Sequence, residues 1–174
     1  MNPVNPHLRT VDPNAAVAAW ESADEINEEC FQLVDLVKEA ASQGVIISIE
    51  NSGLTIGAMH VLVNAVRERL NDNEKEYLGI CPDPTNQLRR HKDSNPLAEL
   101  NELDLNMIKL VHYKQARNGE GITTVDDGDI DCSEMIRVLC HKGYTGIGIL
   151  EIPSDDNVFD NFKVSVNYLE KLAA

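Results

Sequence analysis

The stretch from Gly44 to Gly53 reads GVIISIENSG, and its interpretation decides the fold. Val45–Ile49 is a β-branched run broken only by Ser48, too short for a helix and suited to a buried strand. It stops on Glu50, followed by Asn51-Ser52-Gly53, a turn composition. Upstream, Ser22-x-x-Glu25 has the spacing of a capping box. It predicts a helix with Ile26, Cys30, Leu33, Val34, Val37 and Ala41 on one stripe, ended by Gly44. Downstream, Thr55 is placed to cap a second helix whose apolar face is Met59, Leu62, Val63, Val66 and Leu70.

This strand-then-helix unit recurs. Tyr77–Cys81 is a second strand, ending in Pro82-Asp83-Pro84-Thr85-Asn86. A polar stretch and a short helical segment near Pro96–Leu103 follow. Met107–Val111 is a third strand, ending in His112-Tyr113-Lys114. After a Gly- and Asp-rich loop from Asn118 to Asp131, Ser133 is placed to cap a helix with Ile136, Leu139 and Cys140, stopped by Gly143. Thr145–Leu150 is a fourth strand, ending in Glu151. Asp155 and Asp156 precede a last helix bearing Phe159, Phe162, Val166 and Leu169. Strands alternating with helices imply a parallel sheet of βαβ units, either open and doubly wound or closed as a barrel. Residues 1–19 carry Pro3, Pro6 and Pro13 without a clear period and read as a loop or extended lead-in.

The ends of the four strands carry the chemistry. Glu50, Asp83, His112 and Glu151 lie 33, 29 and 39 residues apart, about one βα unit each. Taken singly, each has an ordinary explanation: a solvated loop glutamate, a turn-forming aspartate between prolines, a hydrogen-bonded histidine. Taken together, they occupy equivalent positions. In a (β/α)8 barrel all strand C-termini open onto one mouth, so the four side chains would converge there. Three carboxylates and one imidazole suit a hard divalent cation, Mn²⁺ or Mg²⁺, better than a metal that seeks thiolates.

Ile49-Glu50-Asn51, Asp83, His112-x-Lys114, Gly128-Asp129-Ile130-Asp131, and Gly143-Tyr144-x-Gly146 leading to Glu151 resemble the xylose isomerase-like TIM barrels. More narrowly, they resemble the sugar phosphate isomerase/epimerase group over about residues 22–172. The resemblance implies an α/β chain of the (β/α)8 TIM-barrel type. Residues 1–19 would be a lead-in, and 20–174 the C-terminal half of the barrel with about the last four βα units. It implies that Glu50, Asp83, His112 and Glu151 ligate one divalent metal, with Mn²⁺ or Mg²⁺ first and Co²⁺ or Zn²⁺ also possible. Glu50 and Glu151 would act as acid and base on opposite faces of a bound carbohydrate. Asn86, Lys114 and Arg117 would contact the substrate, the two cations neutralising developing charge or holding a phosphate. The implied reaction is isomerisation or epimerisation by proton abstraction next to a carbonyl, through an enediolate. Lyase-type cleavage of oxidised glycosides uses a related abstraction and is an alternative.

Two departures from the pattern matter. Asn86 stands where epimerases of this group often have His, and Gln115 where the family often has Asp. Asn86 and the net charge of −14 also weigh against the endonuclease branch, whose phosphate-backbone substrate calls for clustered cations. Asp126–Asp131 could pass for a calcium loop, but no Glu stands at the twelfth position from Asp126, so it reads as the loop leading into the Ser133 helix, with Asp129 or Asp131 placed to cap backbone N–H groups.

The remaining expectations are broad. A full barrel needs about 250 residues, and here 174 are present, with no counterpart of the family's first four strands before residue 20. Half a barrel leaves open strand edges. The chain would then be a piece of a longer enzyme, a half that pairs with itself or a partner chain, or an open module without activity. The four cysteines lack CxxC spacing, and residues 1–10 lack an apolar segment, so reduced thiols and a cytoplasmic location are expected. No run is apolar enough to span a membrane.

Overall fold

The computed structural model describes residues 6–11 and 20–173. Five parallel strands lie side by side. β1 (His7–Val11) pairs with β2 (Ile46–Glu50), and β2 pairs with β3 (Leu78–Cys81). β4 (Leu110–Tyr113) pairs with β7 (Ile147–Leu150). The two sets meet through a parallel bridge between Ile80 and Ile108, where the Lys109 N–H donates to the Ile80 carbonyl at 3.1 Å. The His112 N–H donates to the Pro82 carbonyl at 3.2 Å, closing the same seam. The spatial order β1-β2-β3-β4-β7 follows the chain, as a barrel wall requires. β5 (Ala116–Arg117) and β6 (Glu120–Gly121) form only a small antiparallel hairpin after β4.

Helices fill the connections. They are α1 (Gln32–Ser42), α2 (Ile56–Arg67), α3 (Asp72–Lys75), α4 (Pro84–Arg90), α5 (Pro96–Glu102), α6 (Cys132–Lys142) and α7 (Val158–Ala173). The predicted faces pack: Met59, Leu62, Val63 and Val66 of α2 and Val37 of α1 are fully buried with Ile47, Ile49, Leu78 and Ile80 of the sheet. Thr55 accepts from the Ala58 N–H as predicted, and Gly143 closes α6 in the left-handed region at φ +77°.

Several expectations are corrected. His7–Val11, read as part of a loop or extended lead-in, forms a parallel strand beside β2. Its HLRTV pattern is too polar to stand out, and its identity comes from the ladder with β2. The rest of the 1–19 reading, residues 1–5 and 12–19, lies outside the described residues. Ser22 makes no side-chain cap. Its stretch forms two 3₁₀ turns, Ala23–Glu25 and Glu28–Phe31, ahead of α1, while the Glu25 carboxylate accepts from the Glu21 N–H. Asp131, one of the two aspartates read as capping here, caps α6 in place of Ser133 by accepting from the Glu134 N–H; Ser133 donates its hydroxyl to Asp131, and Asp129 accepts from the Asn118 and Gly119 N–H groups. The polar stretch after Asp83 is helix α4, opened by Asp83 as cap and Pro84 at its first position. β4 begins at Leu110 because Leu105–Met107 is a 3₁₀ turn.

A candidate metal centre at the strand ends

Each ligand candidate stands at or just after a strand C-terminus. Glu50 is the last residue of β2, Asp83 follows β3 by two, His112 lies in β4, and Glu151 follows β7. The reciprocal amide of Asn51 locks the first two ends together. Its Nδ2 donates to the Asp83 carbonyl at 3.0 Å, and its Oδ1 accepts from the Asp83 N–H at 2.7 Å. The Asn51 role was not read from the sequence, although the residue was noted beside Glu50.

The parallel register brings the four together. Each of Glu50, Asp83, His112 and Glu151 offers one ligand atom, and these atoms all lie within 4.8 Å of one another. His112 Nδ1 is 3.3 Å from Glu50 Oε1, 3.5 Å from Asp83 Oδ2 and 3.0 Å from Glu151 Oε2. Glu50, Asp83 and His112 are buried, whereas the Glu151 side chain is 43% exposed.

The donor set fits a divalent cation on the geometry of this site. Asp83 divides its carboxylate: Oδ1 caps α4 by accepting from the Asn86 N–H at 2.8 Å, while buried Oδ2 has no hydrogen-bond partner. His112 Nδ1, also buried, has no directed hydrogen bond although three carboxylate oxygens surround it. Buried polar atoms are rarely left in that condition, and a shared cation is one arrangement that satisfies them all. Burial opposes charge on His112, but the close approach of the Asp83, Cys81 and Glu50 side chains to the ring outweighs it and pushes the imidazolium pKa up to about 12. Cys81 lies beside the ring. Burial pushes its thiol up to about 11, so it does not offer a thiolate, and the donor set stays oxygen and nitrogen.

Around the tetrad are groups that hold the carboxylates. Asn86 donates from Nδ2 to Glu50 Oε1 at 2.8 Å. Lys114 Nζ donates to Asn86 Oδ1 and Glu151 Oε2, both at 3.2 Å, and lies 3.5 Å from Asp83 Oδ2. Arg9, on β1, pairs with Glu50 Oε2. Nothing in the sequence signalled Arg9, because its strand was not recognised. Burial works against ionised Glu50, but His112, Arg9 and Lys114 more than compensate and hold its carboxyl below the usual range. Of the three expected substrate-contact residues, the structure brings Asn86 and Lys114 to the tetrad. Arg117 instead sits on the hairpin, 53% exposed, and pairs with Asp127 at 2.5 Å.

With this geometry in hand, comparisons with known proteins are informative. The family model described as "Xylose isomerase-like TIM barrel" matches residues 11–172. Among solved structures, the IOLI protein with a binding zinc atom aligns with TM-score 0.65 at 15% identity, covering 96% of this chain and 61% of that one. A D-tagatose 3-epimerase-like protein aligns with TM-score 0.65 at 17% identity, covering 96% and 63%. A xylose isomerase domain protein from Planctomyces limnophilus aligns with TM-score 0.67 at 20% identity, covering 88% and 54%. At these identities the likeness shows the fold. The chain spans about three fifths of the length of these structures. No curated protein sequence matches it.

Proposed function

This chain belongs to the xylose isomerase-like TIM-barrel family, and on that premise we propose that it carries the metal and proton-transfer site of a sugar or sugar-phosphate isomerase or epimerase. The observation that supports this most is the convergence of Glu50, Asp83, His112 and Glu151 within 4.8 Å, with Asp83 Oδ2 and His112 Nδ1 lacking hydrogen-bond partners.

In this reading the four side chains hold one divalent cation, Mn²⁺ or Mg²⁺ by donor chemistry. When bound, it acidifies the C–H next to a substrate carbonyl and offsets the charge of the enediolate. Glu50 and Glu151 reach the tetrad from β2 and β7, with β3 and β4 between them. One carboxylate takes the substrate proton and the other returns a proton from the far side. Asn86 fixes the Glu50 carboxylate, and Lys114 fixes Glu151 and supplies positive charge where the enediolate develops. Glu151, being part-exposed, is the one of the pair that can exchange its proton with solvent.

A second reading, of a half that works only with a companion, has its own support. Both outer strands expose apolar side chains: Leu8 and Val11 on β1 are 49% and 48% exposed, and Ile147 and Ile149 on β7 are 36% and 37%. Unpaired apolar edges invite another chain or a second copy. Native mass spectrometry with Mn²⁺ addresses both readings. A metal-carrying homodimer, with metal lost in Glu50→Gln, supports a self-completed barrel. A metal-free chain overturns the proposed site.

A further inference from the structure

Beside the tetrad lies a pocket of about 300 Å³ lined by Ser52, Asn86, Arg89, Arg90 and Gly119. Three elements build it. Asn86, Arg89 and Arg90 are three and four residues apart on α4 and so share one helix face, Ser52 comes from the loop after β2, and Gly119 from the β5–β6 hairpin. The Arg89 Nε–H donates to the Gly119 carbonyl at 2.9 Å, which ties the side chain to the hairpin without using its terminal nitrogens.

Acids outnumber bases by 29 to 15; Arg9, Arg69, Arg117 and Arg137 each pair with a carboxylate, and Arg67 donates to the Leu78 carbonyl. Arg89 and Arg90 have no carboxylate within 4.0 Å among the described residues. Two adjacent guanidinium groups without a carboxylate partner among the described residues offer two forks, which match the charge and the oxygens of a phosphate dianion better than a single carboxylate. The pocket also joins the reaction site. Asn86 lines it and at the same time donates to Glu50.

We infer that this pocket takes the phosphate of a phosphorylated sugar whose reacting carbon lies at the Glu50–Asp83–His112–Glu151 centre. The inference rests on the isomerase or epimerase reading for its substrate and, for its anion, on Arg89 and Arg90, which have no carboxylate partner among the described residues. It moves the anion contact from Arg117, which Asp127 engages, to Arg89 and Arg90.

The test is a titration of the full, EDTA-treated chain with inorganic phosphate, followed by ³¹P NMR, with acetate as control and Mn²⁺ affinity measured in parallel by EPR. Saturable phosphate binding, weakened about tenfold or more in Arg89→Gln/Arg90→Gln with Mn²⁺ affinity retained, supports the pocket. Arg90→Gln alone, which removes no side-chain hydrogen bond among the described residues, should weaken phosphate binding in the same direction and guards against a folding defect. Phosphate binding unchanged in both variants overturns the inference, as does acetate binding as tightly as phosphate. Arginine-dependent phosphate binding in a protein that fails to hold Mn²⁺ supports the anion pocket while overturning the metal-based function.

Discussion

Inner strand β2 and rim strand β7 of this sheet both carry two isoleucines spaced by one residue, and these meet different fates. Ile47 and Ile49 on β2 are fully buried between the helices and neighbouring strands, whereas Ile147 and Ile149 on β7 remain more than a third exposed. The candidate site straddles this divide. Glu50, Asp83 and His112 come from the buried interior, and Glu151 comes from the rim. The contrast shows that site geometry is fixed by ladder register, which both regions share, while burial depends on what covers a strand's outer side. A ligand set can therefore be complete in a wall whose edges are open.

The sharpest way to break this comparison is at the two carboxylates. Glu50→Gln and Glu151→Gln should each lower metal-dependent exchange of a substrate C–H proton with solvent by about 10²- to 10⁴-fold, the usual worth of a positioned acid or base. The assay is proton exchange into D₂O across ketoses and ketose phosphates, with circular dichroism to confirm the fold. If Glu151→Gln retained activity while Glu50→Gln lost it, the rim residue would be a ligand or bystander and not a proton carrier.

Stability offers the next contrast. Ile47→Ala should cost about 2–5 kcal/mol, the range for deleting a fully buried aliphatic side chain. Ile149→Ala should cost less than about 1 kcal/mol in a monomer, because part of its surface already meets water. Urea unfolding of the two variants side by side measures the difference. Equal losses would mean that β7 is covered in solution, and the midpoint would then depend on protein concentration, as it does for an assembly.

The buried half of the site also sets a pH dependence. His112 holds its proton far above the ordinary histidine range because Asp83 and Glu50 surround it, and ligation requires the neutral ring. Metal uptake must therefore expel that proton. Below the raised pKa the neutral fraction falls about tenfold for each pH unit, so apparent Mn²⁺ affinity should drop about a hundredfold from about pH 8 to about pH 6. Glu50, held below the usual carboxylate range, stays ionised across that interval and adds no opposing change. Mn²⁺ EPR titrations at the two pH values decide it. A flat profile would remove His112 from the ligand set.

The reading of the sequence succeeded where chemistry and pattern coincide. A short strand-like run leading to an acid or histidine is visible at Glu50, Asp83, His112 and Glu151, and the structure brings all four together. It failed where the decisive partner is distant in the chain. β1 is a strand because β2 lies beside it, and Arg9 matters because register points it at Glu50. α4 lacks an apolar period, though the Asp83-Pro84 pair that opens it is a local helix-start signal that was read only as a turn. The Ser22 box lost to 3₁₀ turns, and the α6 cap moved two residues, because several polar side chains compete near each helix start.

The last helix gives the smallest and most discriminating test of the open edge. The stripe of Phe159, Phe162, Val166 and Leu169 has helical spacing, yet only its C-terminal part packs: Leu169 joins a small cluster with Val125 and Ile130, while Phe159 is 80% exposed and Phe162 50% exposed. A phenylalanine left in water contributes little to folding, so Phe159→Ser should change stability by less than about 0.5 kcal/mol in a monomeric chain. The same substitution in a self-completed assembly would remove a large apolar contact and weaken association. Analytical ultracentrifugation of Phe159→Ser beside the unsubstituted chain separates the two. An unchanged monomer places α7 on the solvent side of the wall, and a dimer that dissociates on substitution places it, like Ile149, against a second copy.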